Sequence, residues 1–149
     1  MNDDYSPTEA LSAIQGQRDH LAERAKSPAG YHVTLGLVAG IVIASTFLQN
    51  RWVFVAVYIA GGLAVFGLIQ YYKRSKGMWV DGTKGSHPRK YALTAGLFIG
   101  GGLGASMLLE FPDVLHGAGL IIAAIVFPVV TWLGYRWDKA YEAELRAAA

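Results

Sequence analysis

The fold is decided by uncharged stretches such as YALTAGLFIGGGLG, which occupies residues 91–104 and is rich in glycine. Arg89 and Lys90 come directly before it. A glycine-rich run of this kind can bind a phosphate, line a pore or allow two helices to approach each other closely. The composition of the whole chain and the position of the run decide among these three roles.

The environment of the chain follows from its hydrophobicity. Hydrophobic residues make up 53% of its 149 residues, and the mean hydropathy is +0.31. This hydrophobic content is higher than that of ordinary soluble domains. Four stretches carry no Asp, Glu, Lys or Arg, and they occupy residues 27–50, 52–72, 91–109 and 114–135. Each is close to the roughly 20 residues that a helix needs to cross a bilayer. The sequence therefore predicts an all-α integral membrane protein, a four-transmembrane-helix bundle.

The orientation of these spans is predicted by the basic residues. Twelve of the 13 Lys and Arg residues lie before the first stretch, between the second and third, or after the fourth, and only Arg51 lies elsewhere. Because basic loops stay on the cytoplasmic side, we expect both termini and the middle loop to be cytoplasmic in a bacterial plasma membrane. The first thirty residues lack the apolar core of a signal peptide, so we expect the N-terminal segment to be retained.

Five segments are predicted along the chain. They are an N-terminal cytoplasmic amphipathic helix (1–30), a first transmembrane hairpin (31–72), a basic cytoplasmic loop (73–90), a second transmembrane hairpin (91–135) and a cytoplasmic C-terminal helical tail (136–149). Ser6 suits an N-cap and Glu9 closes a capping box, which places the first helix at residues 7–26. The tail is expected to be helical over residues 137–146.

The two hairpins resemble each other in sequence. With an offset of sixty residues, YHVTLGLVAG at residues 31–40 aligns with YALTAGLFIG at residues 91–100. Tyr31 matches Tyr91, and Thr34 matches Thr94. Since each unit contains two spans, a duplication would insert both copies in the same direction, as a parallel repeat. The alternative is a chance resemblance between two apolar, glycine-rich helices.

The glycines of the first and third spans recur every four residues, which is the spacing of small-xxx-small helix packing. The predicted helix-packing residues are Gly36, Gly40, Gly96, Gly100 and Gly104. A dinucleotide-binding loop is excluded, because the run lacks the preceding strand and the later acidic residue of that motif. Whether the packing partner belongs to the same chain or to another remains open, with packing inside the chain favoured.

Chemical motifs are sparse. The four stretches contain none of the acidic or basic residues that a proton-coupled transporter places inside the membrane, and the histidines form no metalloprotease motif. Glu110, Asp113 and His116 form a cluster in the connection between the third and fourth spans. We interpret it as a solvated turn in preference to a weak metal site. The sequence therefore predicts no enzyme activity, no cofactor and no metal.

Six basic residues crowd the ends of the middle loop and its interior. They are Lys73, Arg74, Lys76, Lys84, Arg89 and Lys90. Such a cluster can contact anionic lipid headgroups or a partner protein, or it can serve orientation alone. We expect no nucleic-acid partner.

The loop also carries a resemblance. Together with the capped N-terminal helix and a Pro followed by a Tyr before the first span, the loop residues Gly77, Trp79, Val80 and Gly82 make the chain similar to uncharacterised actinobacterial tetraspan small membrane proteins. The resemblance implies a four-span fold and a neighbourhood of small winged-helix regulators. It implies no catalytic residue.

Three functions are compatible with these features. The leading hypothesis is a non-enzymatic structural, accessory or regulatory membrane subunit, with a membrane protein or a second copy as its partner. The second is an oligomeric passive transporter or channel whose polar path uses hydroxyl groups, namely those of Thr34, Thr94, Ser106 and Thr131. The third is a membrane sensor linked to a regulator.

Overall fold

The computed structural model describes residues 8, 12–17, 26–76 and 88–147. Four long helices dominate this part of the chain, and no strand occurs in it. They are α1 (Tyr31–Ala44), which continues as a 3-10 helix (Ser45–Leu48), α2 (Arg51–Lys76), α3 (Pro88–Glu110) and α4 (Ala118–Ala147). All four are long and apolar enough to cross a membrane, α1 together with its 3-10 continuation. The prediction of an all-α chain with four such helices is confirmed.

Local signals explain where the helices begin. Gly30, directly before α1, has a φ of 80°, a left-handed conformation that glycine adopts without a steric penalty. Asn50 precedes α2, and its Oδ1 accepts the backbone N–H groups of Trp52 and Val53 at 3.0 and 3.2 Å. That arrangement is an N-cap, which satisfies N–H groups that have no partner inside the helix.

The helices pack in the order α2, α1, α4, α3. In the most apolar window of α1 and of α4, 39% and 33% of the residues are buried, against 6% in α2 and in α3, so α1 and α4 form the centre. Their shared core contains Ile43, Ala123, Val126 and Val130. Leu103 of α3 packs against this core from one side, and α2 lies against α1 on the other.

The two ends of the bundle differ in character. We call one end the basic end, because Lys73 and Arg74 lie near the end of α2 there and Arg89 and Lys90 lie at the start of α3. The opposite end, formed by residues 45–50 and 111–117, is called the short-turn end. The residues 77–87 between α2 and α3, with Lys84 and the loop motif, lie outside the described part.

The structure describes only a small part of the predicted N-terminal helix but nearly all of the predicted C-terminal tail. Residues 12–17 are helical with exposed side chains, and most of the helix predicted at 7–26 lies outside the described residues. At the other terminus, α4 passes through Pro128 and runs unbroken to Ala147. The duplication of the hairpins stays a prediction, since α1 lies at the centre of the bundle and α3 at its edge.

Candidate functional site

A polar cluster at the basic end joins α1 to α4. Nε2 of His32 lies 2.8 Å from Oδ2 of Asp138, and Oγ of Ser27 donates a hydrogen bond of 2.7 Å to Oδ1 of the same carboxylate. The side chains of His32 and Asp138 are only 6% and 10% exposed. A carboxylate removed from water is costly unless its oxygens are paired. Here both oxygens have partners, so the cluster fixes the beginning of α1 against α4.

Gly134 makes room for the imidazole ring in this cluster. It lies four residues before Asp138 on α4, and a Cβ atom at this position would overlap the ring of His32. A side chain here would push α1 away from α4. The glycine therefore serves the close approach that the pair of His32 and Asp138 requires.

Aromatic rings extend the cluster towards α2. The ring of Tyr31 lies edge-on to His32, with centroids 5.4 Å apart, and to Tyr72 at 5.5 Å. Tyr135 contacts His32 in the same manner at 5.3 Å. Rings with a polar edge are suited to the region where hydrocarbon meets water. Three helices thus meet through aromatic contacts at the basic end.

A cavity of about 320 Å³ lies beside these rings. All four helices contribute to its wall, through residues that include Tyr31, Tyr72, Tyr91, Gly96 and Trp137. A second cavity of about 300 Å³ follows α1 between α2 and α3 and is lined almost wholly by apolar side chains. Leu35 and Ile99 line both cavities. The two cavities therefore adjoin each other, and we call them together the groove, with an aromatic part at the basic end and an aliphatic part towards the middle of the bundle.

A second buried carboxylate lies at the short-turn end. Glu110, the last residue of α3, is 0% exposed. Its Oε1 accepts a 2.8 Å hydrogen bond from the backbone N–H of Gly119, in the first turn of α4, where N–H groups have no partner inside the helix. A negative group is also favoured there by the helix dipole. Oε2 accepts no hydrogen bond from the described residues and lies 3.5 Å from Nδ1 of His116.

This burial differs from the solvated turn expected for Glu110, Asp113 and His116. Asp113 and His116 are exposed, whereas the carboxylate of Glu110 is withdrawn because it caps α4. Gln49 closes the cluster, since its Nε2 donates to the carbonyl oxygen of Glu110 and to Oδ1 of Asp113, each at 3.0 Å. Among the residues that the structure describes, no group of three or more His, Cys, Asp and Glu side chains is placed to hold a metal.

The predicted packing glycines occupy two different environments. Gly36 and Gly40 are buried against α4, where a Cβ atom on Gly36 would lie 2.9 Å from the carbonyl oxygen of Phe127. A Cβ atom on Gly96, Gly100 or Gly104 would meet no heavy atom within 4 Å. The structure thus brings the first pair together with α4. It leaves the other three exposed along α3, and Gly96 also lines the basic-end cavity.

Two of the predicted basic residues are sequence neighbours of residues that line the basic-end cavity. Lys73 directly follows Tyr72, and Lys90 directly precedes Tyr91; both tyrosines line the cavity. Nζ of Lys90 lies 5.1 Å from the centroid of the Tyr91 ring. Arg74 and Arg89 are exposed. The side chains of Lys76 and Lys84 lie outside what the structure describes.

The hydroxyl groups considered for a polar path are bonded mainly to their own helices. Thr94 donates to Lys90, Ser106 to Leu103 and Thr131 to Phe127, each to a backbone carbonyl oxygen at 2.8 to 2.9 Å. Thr34 is exposed. Hydroxyls bonded in this way need no further partner in an apolar environment.

Sequence reasoning missed Asp138 and the burial of Glu110. Asp138 lies three residues after the fourth uncharged stretch and Glu110 directly follows the third, so hydrophobicity alone places both at water-exposed ends of the spans. A usable signal was present for His32, which lies at the start of a span and needs a polar partner once it is buried. Its partner Asp138 is 106 residues away in sequence, and only the packing of α1 against α4 brings the two side chains together.

Comparison with known proteins gives no match: the chain matches no family model, no curated protein and no solved structure. The resemblance to actinobacterial tetraspan proteins accordingly stays a prediction.

Proposed function

We propose that the chain is a non-enzymatic subunit of a bacterial plasma membrane that acts by helix packing, with both termini and the basic end in the cytoplasm. In this role α1 and α4 form a rigid centre, and α3 presents a surface to a second transmembrane helix. The basic residues at the ends of α2 and α3 contact anionic headgroups or a partner on the cytoplasmic side.

One observation carries this proposal: equivalent glycines have different neighbours. Gly36 and Gly40 lie against α4, whereas Gly96 and Gly100, which align with them in the sequence, have no heavy atom within 4 Å of an added Cβ. Small residues favour association in lipid because they let backbones approach and form dispersion contacts. Gly96 also lines the basic-end cavity, whereas Gly100 and Gly104 line neither cavity. The face that Gly100 and Gly104 leave open is suited to another transmembrane helix, from a second copy or from a different membrane protein.

Purification in a gentle detergent tests the proposal. The tagged protein is expected to elute with a partner, either a second copy or another membrane protein, and Gly100→Leu is expected to elute without it. Gly67→Leu on α2 is the matched control, because Gly67 is equally exposed and a Cβ there also meets nothing within 4 Å. A wild-type protein that elutes as a lone monomer, in the same manner as Gly100→Leu, would contradict the proposal.

A further inference from the structure

The groove between α2 and α3 has the form of a binding site for an amphiphile. Its two parts, of about 320 and about 300 Å³, share Leu35 and Ile99 and follow α1 from the basic end towards the middle of the bundle. The first part carries tyrosine and tryptophan rings, and the second carries aliphatic side chains. A ligand that fills both must be long, and its polar end must lie at the basic end.

The charge at the basic end identifies the polar group. Lys90 lies over the ring of Tyr91, a lining residue of the cavity, and exposed Arg74 and Arg89 belong to the same ends of α2 and α3. The described ends of these two helices carry no acidic residue. The carboxylate of Asp138 on α4 also lies at the basic end, where both of its oxygens are bonded, to Ser27 and His32. A phosphate group is attracted to such a cluster, and arginine binds it with parallel hydrogen bonds.

The walls of the second cavity indicate the apolar part of the ligand. Gly62 of α2 and Val38 of α1 line the second cavity, and a Cβ atom on Gly62 would meet nothing within 4 Å, so α2 and α3 leave an apolar space between them. Water is not stable in a channel with such an apolar wall. In a bilayer, an acyl chain is the apolar group available to fill it.

We propose that this groove binds one anionic membrane lipid, with its phosphate among the basic residues of α2 and α3 and one acyl chain along α1. The inference rests on the orientation given under the proposed function, in which the basic end faces the cytoplasmic leaflet. It adds a specific site to the general attraction between a basic loop and a membrane surface. The aromatic rings surround the part of the lipid where the headgroup joins the chain.

Lipid retention is the decisive test. The protein is purified from micelles that contain equal amounts of phosphatidylglycerol and phosphatidylcholine, and the bound lipid is counted by native mass spectrometry. We expect phosphatidylglycerol to be retained over phosphatidylcholine by about thirtyfold, the order of effect expected from two arginines near a headgroup with a net negative charge. Replacing both arginines, in Arg74→Gln/Arg89→Gln, is expected to remove this preference while the total amount of bound lipid persists.

Filling the cavity tests the position of the acyl chain. Gly96→Leu places a side chain inside the first cavity without meeting an atom within 4 Å of its Cβ and is expected to lose most of the bound lipid. Ala95→Leu fills the same cavity from a second lining position. Gly104→Leu is the matched control, since Gly104 is equally open on the same helix and is not part of either cavity wall.

Two results would overturn the inference. One is a wild-type protein that retains both lipids equally; the other is retention in Gly96→Leu and Ala95→Leu that equals retention in Gly104→Leu. The helix-packing proposal fails separately, because Gly104→Leu alters the open face of α3 and leaves the lipid groove intact. Loss of the protein partner with unchanged lipid in Gly104→Leu would support both proposals at once.

Discussion

Nε2 of His32 and Oδ2 of Asp138 lie 2.8 Å apart across the boundary between α1 and α4. The two residues are separated by 106 positions in the sequence and hold the central pair of helices together at the basic end. Since α2 contacts α1 and α3 contacts α4, the pair lies at the boundary between the two halves of the bundle.

Removal of the carboxylate is expected to destabilise the bundle. Asp138→Ala leaves the buried imidazole of His32 and the hydroxyl of Ser27 without their acceptor, which should lower the free energy of unfolding by about 2 to 4 kcal/mol. Detergent-induced unfolding in mixed micelles measures the change. Glu142→Ala is the control, since its contact with Arg146 is an exposed i,i+4 pair, for which a loss below about 0.5 kcal/mol is expected. An equal loss in the free energy of unfolding in the two variants would show that the buried pair stabilises the bundle no more than an exposed ion pair does.

A matched pair of glycines tests the difference between α1 and α3. Gly36→Ala places a Cβ atom against Thr131 and 2.9 Å from the carbonyl oxygen of Phe127, where the backbone of α4 cannot move freely. We expect a loss of about 1 to 3 kcal/mol. Gly96→Ala meets nothing within 4 Å and should change the stability of the monomer by less than about 0.5 kcal/mol. If both substitutions were tolerated equally, the close approach of α1 to α4 would be wrong.

The cap formed by Glu110 can be separated from its charge. Glu110→Ala removes the acceptor of the Gly119 N–H and should cost about 1 to 2 kcal/mol, as for other N-cap losses. Glu110→Gln keeps a carbonyl oxygen at that position and should cost clearly less. Unfolding titrations of the two variants check this order. A glutamine variant as unstable as the alanine variant would mean that the charge, and not the hydrogen bond, holds the turn.

The four helices could be predicted from the sequence because hydrophobic length alone specifies them. The bounds of α2 are less evident from hydrophobicity, since this helix continues past its uncharged stretch to Lys76. The helical tail expected over residues 137–146 is the continuation of α4, which runs to Ala147. The end of a helix is not determined by hydrophobicity alone. It depends on whether the last backbone carbonyl groups find hydrogen-bond partners and on whether the side chains of the last turns are packed. The tail of α4 continues because Trp137 packs with Tyr141 and Leu145.

The sites were harder to predict than the spans. The spacing of Gly36 and Gly40 equals that of Gly96 and Gly100, yet only the first two are covered inside the chain. Glycines that recur every four residues predict a helix face without side chains, but they do not predict which helix packs against that face. The burial of Glu110 depends in the same way on the position of α4, because its carboxylate is withdrawn from water only when the N-terminus of that helix is close.

Photocrosslinking in intact membranes tests the central claim that the open face of α3 receives another helix. A benzophenone amino acid replaces Leu97, which is 73% exposed beside this face, or Leu63 of α2, which is 67% exposed and serves as the control. We predict a discrete protein adduct from position 97, none from position 63, and loss of the adduct when Gly100→Leu is added. The absence of any protein adduct at position 97, or equal adducts at both positions, would contradict the account.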